Sequence, residues 1–283
     1  MIRVPLARLV AFVEEDAPFG DATSDAVLDD GTCTAILRFR EAGVAAGLKE
    51  AGALFVHYGV SATPRAADGD RVEAGAAVLE LEGPVRSMLL VERTALNLVG
   101  RMSGIATATA RYADLARKGD PRTRVAATRK TAPGLGLLDK KAVLLGGGDP
   151  HRFTLSDGLL IKDNHLALVS IEEAVRRARA FSAYRVVEVE VETAGEAVRA
   201  ARAGAEIVLL DNMTVDGARE AIGALAAAGL RDRVRIEVSG GVTEATIGAY
   251  AAAGADLISV GALTHSVRSL DLTLEVSRPR QAD

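Results

Sequence analysis

The chain has 283 residues, of which 25 % are charged, and its net charge is −4. This length suits one large domain or two ordinary ones, and the missing overall basic field argues against a nucleic-acid-binding protein. The single cysteine, Cys33, excludes an intrachain disulfide and a cysteine-type zinc site, and we expect it to fill a small apolar space in a strand.

No apolar run in the sequence approaches the roughly 18 residues that cross a bilayer. The N-terminal stretch also lacks the pattern of a signal peptide. We therefore expect a cytoplasmic protein without membrane association.

The first hundred residues mix strand and helix patterns. Residues 35–40 alternate apolar and polar side chains, which predicts a strand. Gly69 and Asp70 begin a turn, and the run that follows predicts a β-hairpin. Residues 91–118 contain few helix breakers, so we expect helix there, divided into two pieces around Ser103 and Gly104.

Six short apolar runs after residue 124 alternate with amphipathic helical stretches. The runs are residues 125–128, 158–161, 186–192, 207–210, 234–238 and 257–261. A spacing of roughly 20–28 residues per unit is typical of repeated βα units. The pattern predicts a parallel (β/α) barrel that is incomplete, because eight strands would close it. A doubly wound sheet is the alternative, although no glycine-rich dinucleotide motif follows a first strand.

Polar residues cluster where the predicted strands end, which is where barrel enzymes carry their active sites. A Gly-Gly-Gly run at 146–148 precedes His151 and Arg152, and further cations follow two strands. Cations beside glycine turns suit a ligand with several negative charges. The residues concerned are Arg129, Lys130, His151, Arg152, Lys162, Glu190, Asp211, Ser239, Gly240, Gly241, Gly261 and His265.

Three of these features have competing interpretations. Glu188, Glu190 and Glu192 alternate with valines, so they share one face, and in a barrel lumen at least one of them is expected to bind a cation. Asp211 either contributes to the site or caps the next helix. Residues 239–241 are predicted to open a helix whose free N–H groups suit a phosphate.

Eight ordered motifs resemble those of the quinolinate phosphoribosyltransferase family, and together they span nearly the whole chain. They are ERTALNLVGRMSGIAT (92–107), TRKTAPG (128–134), KKAVLLGGGDPHRF (140–153), LIKDNH (160–165), EVEVET (188–193), LLDNM (209–213), SGGVT (239–243) and ISVGALTHS (258–266). The resemblance implies an α/β fold with an N-terminal sandwich-like domain (1–104) and an incomplete parallel (β/α) barrel (105–267). A C-terminal tail (268–283) would pack on the first domain.

The family resemblance also implies an activity. Phosphoribosyl would be transferred from phosphoribosyl pyrophosphate to quinolinate, with Mg²⁺, giving nicotinate mononucleotide, pyrophosphate and CO2 in NAD biosynthesis. The protein would be a homodimer, or an oligomer of dimers, with active sites shared between subunits.

The resemblance assigns the cations to anionic parts of the substrates. Arg129, His151, Arg152 and Lys162 match the positions that hold the two quinolinate carboxylates. Lys130 and Lys162 also match positions near the phosphates. A bidentate arginine suits a carboxylate, so the residue types agree with a dianionic substrate.

The remaining matched positions surround the ribose and its phosphates. Glu190 and Asp211 match an acidic pair near the ribose hydroxyls and Mg²⁺, acting on the metal directly or through its pyrophosphate. With Lys130 and Lys162 they form the expected catalytic group. Arg93 matches an arginine that the neighbouring subunit contributes. The positions around the 5′-phosphate are Ser239, Gly240, Gly241, Gly261 and His265.

The chain departs from the family pattern at three places. Ala127 replaces an aspartate, Asp149 and Pro150 replace a Val-Asn pair, and Lys141 and Leu144 replace an aromatic residue and an arginine. We expect these changes to affect turn geometry and substrate affinity.

Three alternative functions are a molybdenum-operon relative, a nicotinate phosphoribosyltransferase and a non-catalytic sensor of a phosphate ligand. The intact IKDNH segment argues against a molybdenum-operon relative. The two retained arginine positions that match carboxylate-binding ones argue against a nicotinate phosphoribosyltransferase. The presence of Glu190, Asp211 and Lys162 argues against a non-catalytic sensor, which would tolerate their loss.

Overall fold

The computed structural model describes residues 2–278, and every element below lies in that part of the chain. The strands are β1 (Thr32–Phe39), β2 (Gly43–Val44), β3 (Ser61–Pro64), β4 (Arg71–Val72), β5 (Ala77–Pro84), β6 (Arg124–Ala126), β7 (Leu159–Ile161), β8 (Val187–Val191), β9 (Ile207–Asp211), β10 (Arg235–Ser239), β11 (Leu257–Ser259) and β12 (Leu272–Ser277).

The helices are α1 (Leu6–Asp16), α2 (Ala22–Val27), α3 (Leu48–His57), α4 (Val85–Gly119), α5 (Gly136–Leu145), α6 (Asp163–Leu166), α7 (Ile171–Phe181), α8 (Ala194–Ala203), α9 (Val215–Ala227), α10 (Ile247–Ala252) and α11 (Ala262–His265), with one 3-10 turn at Arg231–Arg233. Within residues 2–278 no helix combines the length and the apolar character that crossing a membrane requires.

The chain divides into two compact units. The first comprises the described residues of Met1–Ala108, Pro133–Gly147 and Ser266–Asp283, and the second comprises Thr109–Ala132 and Gly148–His265. Compared with the expected boundaries, the first unit gains residues 133–147, because α5 buries Lys141 against Glu50 there. Residues 279–283 of the expected tail lie outside the described part.

The first unit contains an antiparallel sheet in the order β12-β1-β5-β3. Alternate residues of β1 are buried, including Cys33, so the predicted strand and the apolar role of the cysteine are confirmed. β12 pairs with β1 from Thr34↔Ser277 onward, so the segment up to Ser277 belongs to this sheet. The predicted hairpin is wrong, since β4 pairs with β2 whereas β5 pairs with β1 and β3.

The helix α4 is continuous over 35 residues, so the predicted division at Ser103 and Gly104 is wrong. Both residues serve close packing. The Ser103 hydroxyl accepts a hydrogen bond from the Ala46 N–H at 2.9 Å. A Cβ on Gly104 would lie 2.1 Å from the Arg268 carbonyl oxygen, so only glycine allows that main chain to approach.

The second unit contains a parallel sheet of six strands in the order β6-β11-β10-β9-β8-β7. The strands β7 to β11 lie side by side in chain order, and each runs parallel to the next. The strand β6 pairs with β11 at the other edge of the sheet. A doubly wound sheet would instead reverse direction at a switch point. The six predicted strands and the incomplete barrel are therefore confirmed, with the gap between β6 and β7.

Amphipathic helices cover the outside of this sheet. The valines of β8 are at most 2 % exposed, which places the intervening glutamates toward the lumen. The helices α7, α8 and α9 begin directly after capping residues, because the side chains of Ser170, Thr193 and Thr214 accept hydrogen bonds from their first-turn N–H groups.

Candidate active site

The carboxyl ends of the parallel strands of the second unit surround a cavity of about 510 Å³. Side chains at these ends converge in such folds, so residues far apart in sequence meet there. The residues from the sequence analysis that line it are Arg129, Lys130, His151, Arg152, Lys162, Glu190, Asp211, Ser239, Gly240 and Gly241.

Three predicted site residues lie outside that lining among the described residues. Gly261 and His265 are adjacent to it, since a Cβ on Gly261 would lie 3.3 Å from the Lys130 Cδ and 3.1 Å from the His265 ring. Arg93 lies on α4 in the first unit, where it is exposed beside a cleft that includes Asn97 and Asp271.

The IKDNH motif ends β7 and positions Lys162. The backbone N–H of Lys162 donates to Nδ1 of His165 at 2.9 Å, so the histidine of the motif fixes the strand end. The Lys162 ammonium donates to Oε2 of Glu190. Lys162 keeps 43 % of its side chain exposed, whereas Glu190 keeps 11 %. The lysine is thus held by a largely buried carboxylate and remains open to the cavity.

Asp211 and the glycine turn after β10 are coupled through Asn212. The amide of Asn212 donates to Oδ2 of Asp211 at 2.7 Å, and its backbone N–H donates to the Ser239 carbonyl at 2.9 Å. Gly240 has φ +90°, and a Cβ there would lie 2.1 Å from Oδ1 of Asn212. Asn212 was not among the predicted site residues, although an asparagine that tolerates φ +52° directly after a strand is a detectable signal.

The structure contradicts the capping alternative for Asp211 and the predicted helix start at residues 239–241. Asp211 does not cap the next helix, because Thr214 does so. Residues 239–241 do not open a helix, since α10 begins only at Ile247. Both Gly240 and Gly241 have positive φ and form a turn, because two left-handed residues in succession interrupt a right-handed helix. The N–H groups of such turns still suit an anion.

The arginines of the cavity lie close enough to repel one another. Burial, followed by the positive charge of Arg129, lowers the pKa of Arg152 below its usual range. Clustered cations of this kind favour an anionic ligand that would relieve the repulsion.

Hydroxyl groups hold the main chain around Lys130. Its N–H donates to the Thr128 hydroxyl at 3.1 Å, and its carbonyl accepts from the Thr264 hydroxyl at 2.9 Å. The TRKT and THS motifs are therefore adjacent in space, and Thr264, which lies outside the predicted set, fixes the backbone of a predicted site lysine.

His151 lies between two buried carboxylates. Its Nε2 is 3.5 Å from Glu188 Oε2 and 3.3 Å from Glu237 Oε2. Burial by itself would lower the pKa of His151, but the two carboxylates outweigh it and raise the pKa to about 10. Burial raises the pKa of Glu188, and attraction to His151 offsets part of that effect. Glu237 was missed from sequence, because it looks like one polar residue in an apolar strand.

The departure at Asp149 has a structural explanation. Asp149 forms a single parallel bridge with Ala126 on the free edge of β6. Its carboxylate accepts the His151 N–H at 2.9 Å and pairs with Arg124 at 3.0 Å. This aspartate therefore fixes the segment that carries His151 and Arg152 into the cavity.

The chain resembles known proteins over nearly its whole length. The model of the quinolinate phosphoribosyl transferase N-terminal domain matches residues 21–103, and that of the C-terminal domain matches residues 105–275. A probable nicotinate-nucleotide pyrophosphorylase (carboxylating) of Methanothermobacter thermautotrophicus is 46 % identical over 93 % of this chain and 96 % of its own length.

Two further relatives extend the comparison. The human nicotinate-nucleotide pyrophosphorylase (carboxylating) is 37 % identical over 96 % of this chain and 92 % of its own. The crystal structure of NadC from Streptococcus pyogenes superposes with a TM-score of 0.88 at 41 % identity, covering 95 % of each chain. Both domain models and full-length relatives match, so the chain belongs to the quinolinate phosphoribosyl transferase family.

Proposed function

We propose that the protein is a carboxylating nicotinate-nucleotide pyrophosphorylase. It transfers phosphoribosyl from phosphoribosyl pyrophosphate to quinolinate and yields nicotinate mononucleotide, pyrophosphate and CO2. The main support for this proposal is the cavity that Arg129, Arg152 and Lys162 line together. The chain that forms it belongs to the quinolinate phosphoribosyl transferase family. Both substrates are polyanions, and such a cavity suits them.

The quinolinate carboxylates are bound by Arg129, Arg152, His151 and Lys162. Arginine binds a carboxylate with two parallel hydrogen bonds, whereas lysine and protonated histidine each add a charge-assisted bond. The lowered pKa of Arg152 beside Arg129 supports this assignment, because a dianion would compensate the two neighbouring cations.

The transfer step forms one bond and breaks another. The quinolinate ring nitrogen attacks C1 of the ribose, and the bond from C1 to the pyrophosphate oxygen breaks with its electron pair leaving on pyrophosphate. Positive charge develops on the ribose, and the carboxylates of Glu190 and Asp211 stabilise it electrostatically, by analogy with glycosyl transfer. Lys130 and Lys162 hold the phosphates.

Decarboxylation then removes the carboxylate next to the ring nitrogen. The carbon–carbon bond breaks, CO2 leaves, and the electron pair stays on the ring carbon, which takes up a proton. The cationic ring nitrogen and the nearby Lys162 or Arg129 offset the developing negative charge. This sequence requires no covalent enzyme intermediate.

Magnesium fits the donors at the ribose end of the cavity. Glu190 and Asp211 both line it and offer carboxylate oxygens, which are the ligands that Mg²⁺ prefers. Asp211 has one oxygen bonded to Asn212, and its other oxygen is the available donor. When bound, Mg²⁺ would neutralise charge on the pyrophosphate leaving group.

The 5′-phosphate binds at the glycine turn. Ser239, Gly240 and Gly241 line the cavity, both glycines have positive φ, and successive N–H groups in turns of this kind suit an anion. Gly261 and His265 complete this region beside Lys130.

We also propose a homodimer in which Arg93 of one subunit completes the active site of the other. Exposure of Arg93 beside a cleft of the first unit supports this role. Mixing an Arg93→Ala protein with a Lys162→Ala protein should restore part of the activity, since one site of a mixed dimer would hold both residues. A cytoplasmic location stays a prediction from the sequence.

A turnover assay tests the reaction. Pure protein would receive phosphoribosyl pyrophosphate, Mg²⁺ and either quinolinate or nicotinate, and the products followed would be nicotinate mononucleotide and CO2. Product from quinolinate alone is the expected result. Product from nicotinate would favour a nicotinate phosphoribosyltransferase, and no product from a folded protein would favour a sensor.

A further inference from the structure

The strands of the second unit carry two carboxylates deep in the lumen. Glu188 lies two residues before Glu190 on β8, and Glu237 lies two residues before Ser239 on β10, about 6–7 Å deeper along each strand. Their exposed fractions are 5 % and 1 %. Apolar side chains usually fill this part of a barrel, so two acids there require a compensating group.

His151 is that group. Its Nε2 faces Oε2 of Glu188 and Oε2 of Glu237, whereas Oε1 of Glu237 accepts a hydrogen bond from the Ser259 hydroxyl. Removing the cation from such a cluster would leave two buried carboxylates side by side, which is strongly unfavourable. The strands β8 and β10 therefore each place a carboxylate against one imidazole, and Ser259 of β11 holds Glu237.

The backbone holds the imidazole in a conformation that few residues adopt. His151 has φ +55°, in the left-handed region that a bulky residue occupies only under tertiary constraint. Asp149 supplies that constraint, because its N–H and carbonyl bond to Val125 and Ala127 on the free edge of β6 and its carboxylate accepts the His151 N–H. The ring thus enters the lumen beside the gap in the barrel.

We propose that Glu188 and Glu237 are positioning residues that keep the His151 imidazole cationic and fix its ring, so that a buried positive charge always faces the carboxylates of the substrate. The inference rests on the proposed function, since it takes quinolinate as the ligand.

The groups that face His151 explain why its charge persists. Glu188 and Glu237 approach it from β8 and β10, Asp149 fixes its main chain, and Arg152 is the neighbouring cation. The carboxylates raise the pKa of His151 to about 10 against the opposing effect of burial. Within residues 2–278, Nδ1 of His151 is buried without a hydrogen-bond partner, so the compensation of its charge comes from the carboxylates on the Nε2 side of the ring.

The cluster also stands between two cavities. His151 and Arg152 line both the active-site cavity and a second one of about 570 Å³ at the amino ends of the strands. Glu237 lines the first, and Glu188 lines the second. The imidazole therefore forms part of the floor of the substrate site.

The experiment is a proton NMR titration of the histidine rings in wild-type protein, Glu188→Gln and Glu237→Gln, without substrate. The chain has four histidines, and a His151→Gln protein assigns the relevant signal. We expect wild-type His151 to stay protonated to about pH 9, and each glutamine variant to titrate at least about 2.5 units lower. Glu192 is exposed and directly follows β8, so Glu192→Gln is the control and should leave the His151 signal unchanged.

Steady-state kinetics give the functional readout. In each variant the KM for quinolinate should rise about tenfold between roughly pH 6 and 8.5, with a smaller change in kcat, because the cation is lost only at the higher pH. The wild-type KM should stay nearly constant. A merely structural role would instead change the KM equally at both pH values.

Three results would overturn the inference: wild-type His151 titrating in its ordinary range, variants with an unchanged titration, or a stoichiometric divalent metal in the purified protein that His151→Gln removes. Variants that do not fold leave the wild-type titration as the deciding measurement. Because the titration contains no substrate, it is independent of whether quinolinate is turned over.

Discussion

Both units bury charged side chains, but they satisfy them to different degrees. In the first unit the Lys141 ammonium donates to both oxygens of Glu50, at 2.6 and 2.8 Å, and Asp68 lies 3.5 Å away. Within the described residues, the Lys141 cluster leaves one buried atom without a hydrogen-bond partner, Asp68 Oδ2, whereas the His151 cluster of the second unit leaves three, Glu188 Oε1, Glu237 Oε2 and His151 Nδ1.

This difference distinguishes a structural charge cluster from one prepared for a ligand. The Lys141 group joins α5 to α3, and its ammonium bonds both oxygens of Glu50, so the cation is compensated inside the first unit. Orphaned polar atoms in a native interior call for a partner, and the second cluster lies at the floor of the substrate cavity. Four predictions test this comparison.

The largest expected effect is on the first cluster. Lys141→Met should lower the free energy of unfolding by about 3–5 kcal/mol, because it leaves the carboxylates of Glu50 and Asp68 buried without their cation. Chemical denaturation measures the change. Lys49→Met, at an exposed position of α3, should change stability by less than about 0.5 kcal/mol. Equal stabilities of the two variants would mean that the Lys141 cluster contributes little.

In the second unit, Lys162→Ala should act on turnover and leave the fold intact. We expect kcat/KM for quinolinate to fall about 100- to 1,000-fold, since a charge-assisted contact to substrate and the partner of Glu190 are both lost. Circular dichroism would check the fold, and Lys118→Ala on the exposed end of α4 is the matched control. Near-wild-type turnover would exclude Lys162 from the site.

Gly240→Ala should produce an intermediate loss. A Cβ there meets Oδ1 of Asn212 at 2.1 Å and the residue has φ +90°, so the turn and the Asp211 carboxylate must shift. We expect about a tenfold or greater rise in the KM for phosphoribosyl pyrophosphate. Gly223→Ala, which has open space on α9, should leave the KM unchanged. A similar KM in both variants would show that the turn tolerates a side chain.

The smallest effect concerns pH. The pKa of His151 is raised to about 10, so its protonation contributes stability that is complete below its ordinary value of 6.5 and is lost as the pH rises toward 10. Thermal unfolding of wild-type protein should therefore begin about 2–4 °C lower at pH 9.5 than at pH 7. His151→Gln should show a smaller pH dependence. An identical dependence in both proteins would assign the titration to another group.

Periodicity was sufficient to predict much of the second unit. Alternating apolar runs located six strands, and the amphipathic stretches between them located helices, because burial period is a local property. The same approach failed at Ser103 and Gly104. A Ser-Gly pair looks like a helix break locally, but here it allows Ala46 and Arg268 to approach α4 closely.

Long-range partners were the part that local patterns could not predict. Asp211 looks like a helix cap until Thr214 is seen in that role, and Glu237 is unremarkable until β10 places it beside His151. Lys141 was noted only as a departure, because its partner Glu50 is far away in the chain. In each case the role of a polar residue depends on the element that packs against it.

The sequence by itself determined the family, the parallel barrel pattern and the set of cations that suit a polyanionic substrate. These follow from residue type and spacing, which tertiary contacts do not alter. Only the tertiary structure decided that His151 lies between Glu188 and Glu237, and that Asn212 couples Asp211 to Gly240. The protonation of a buried group depends on charges within a few ångströms, and those distances exist only after folding.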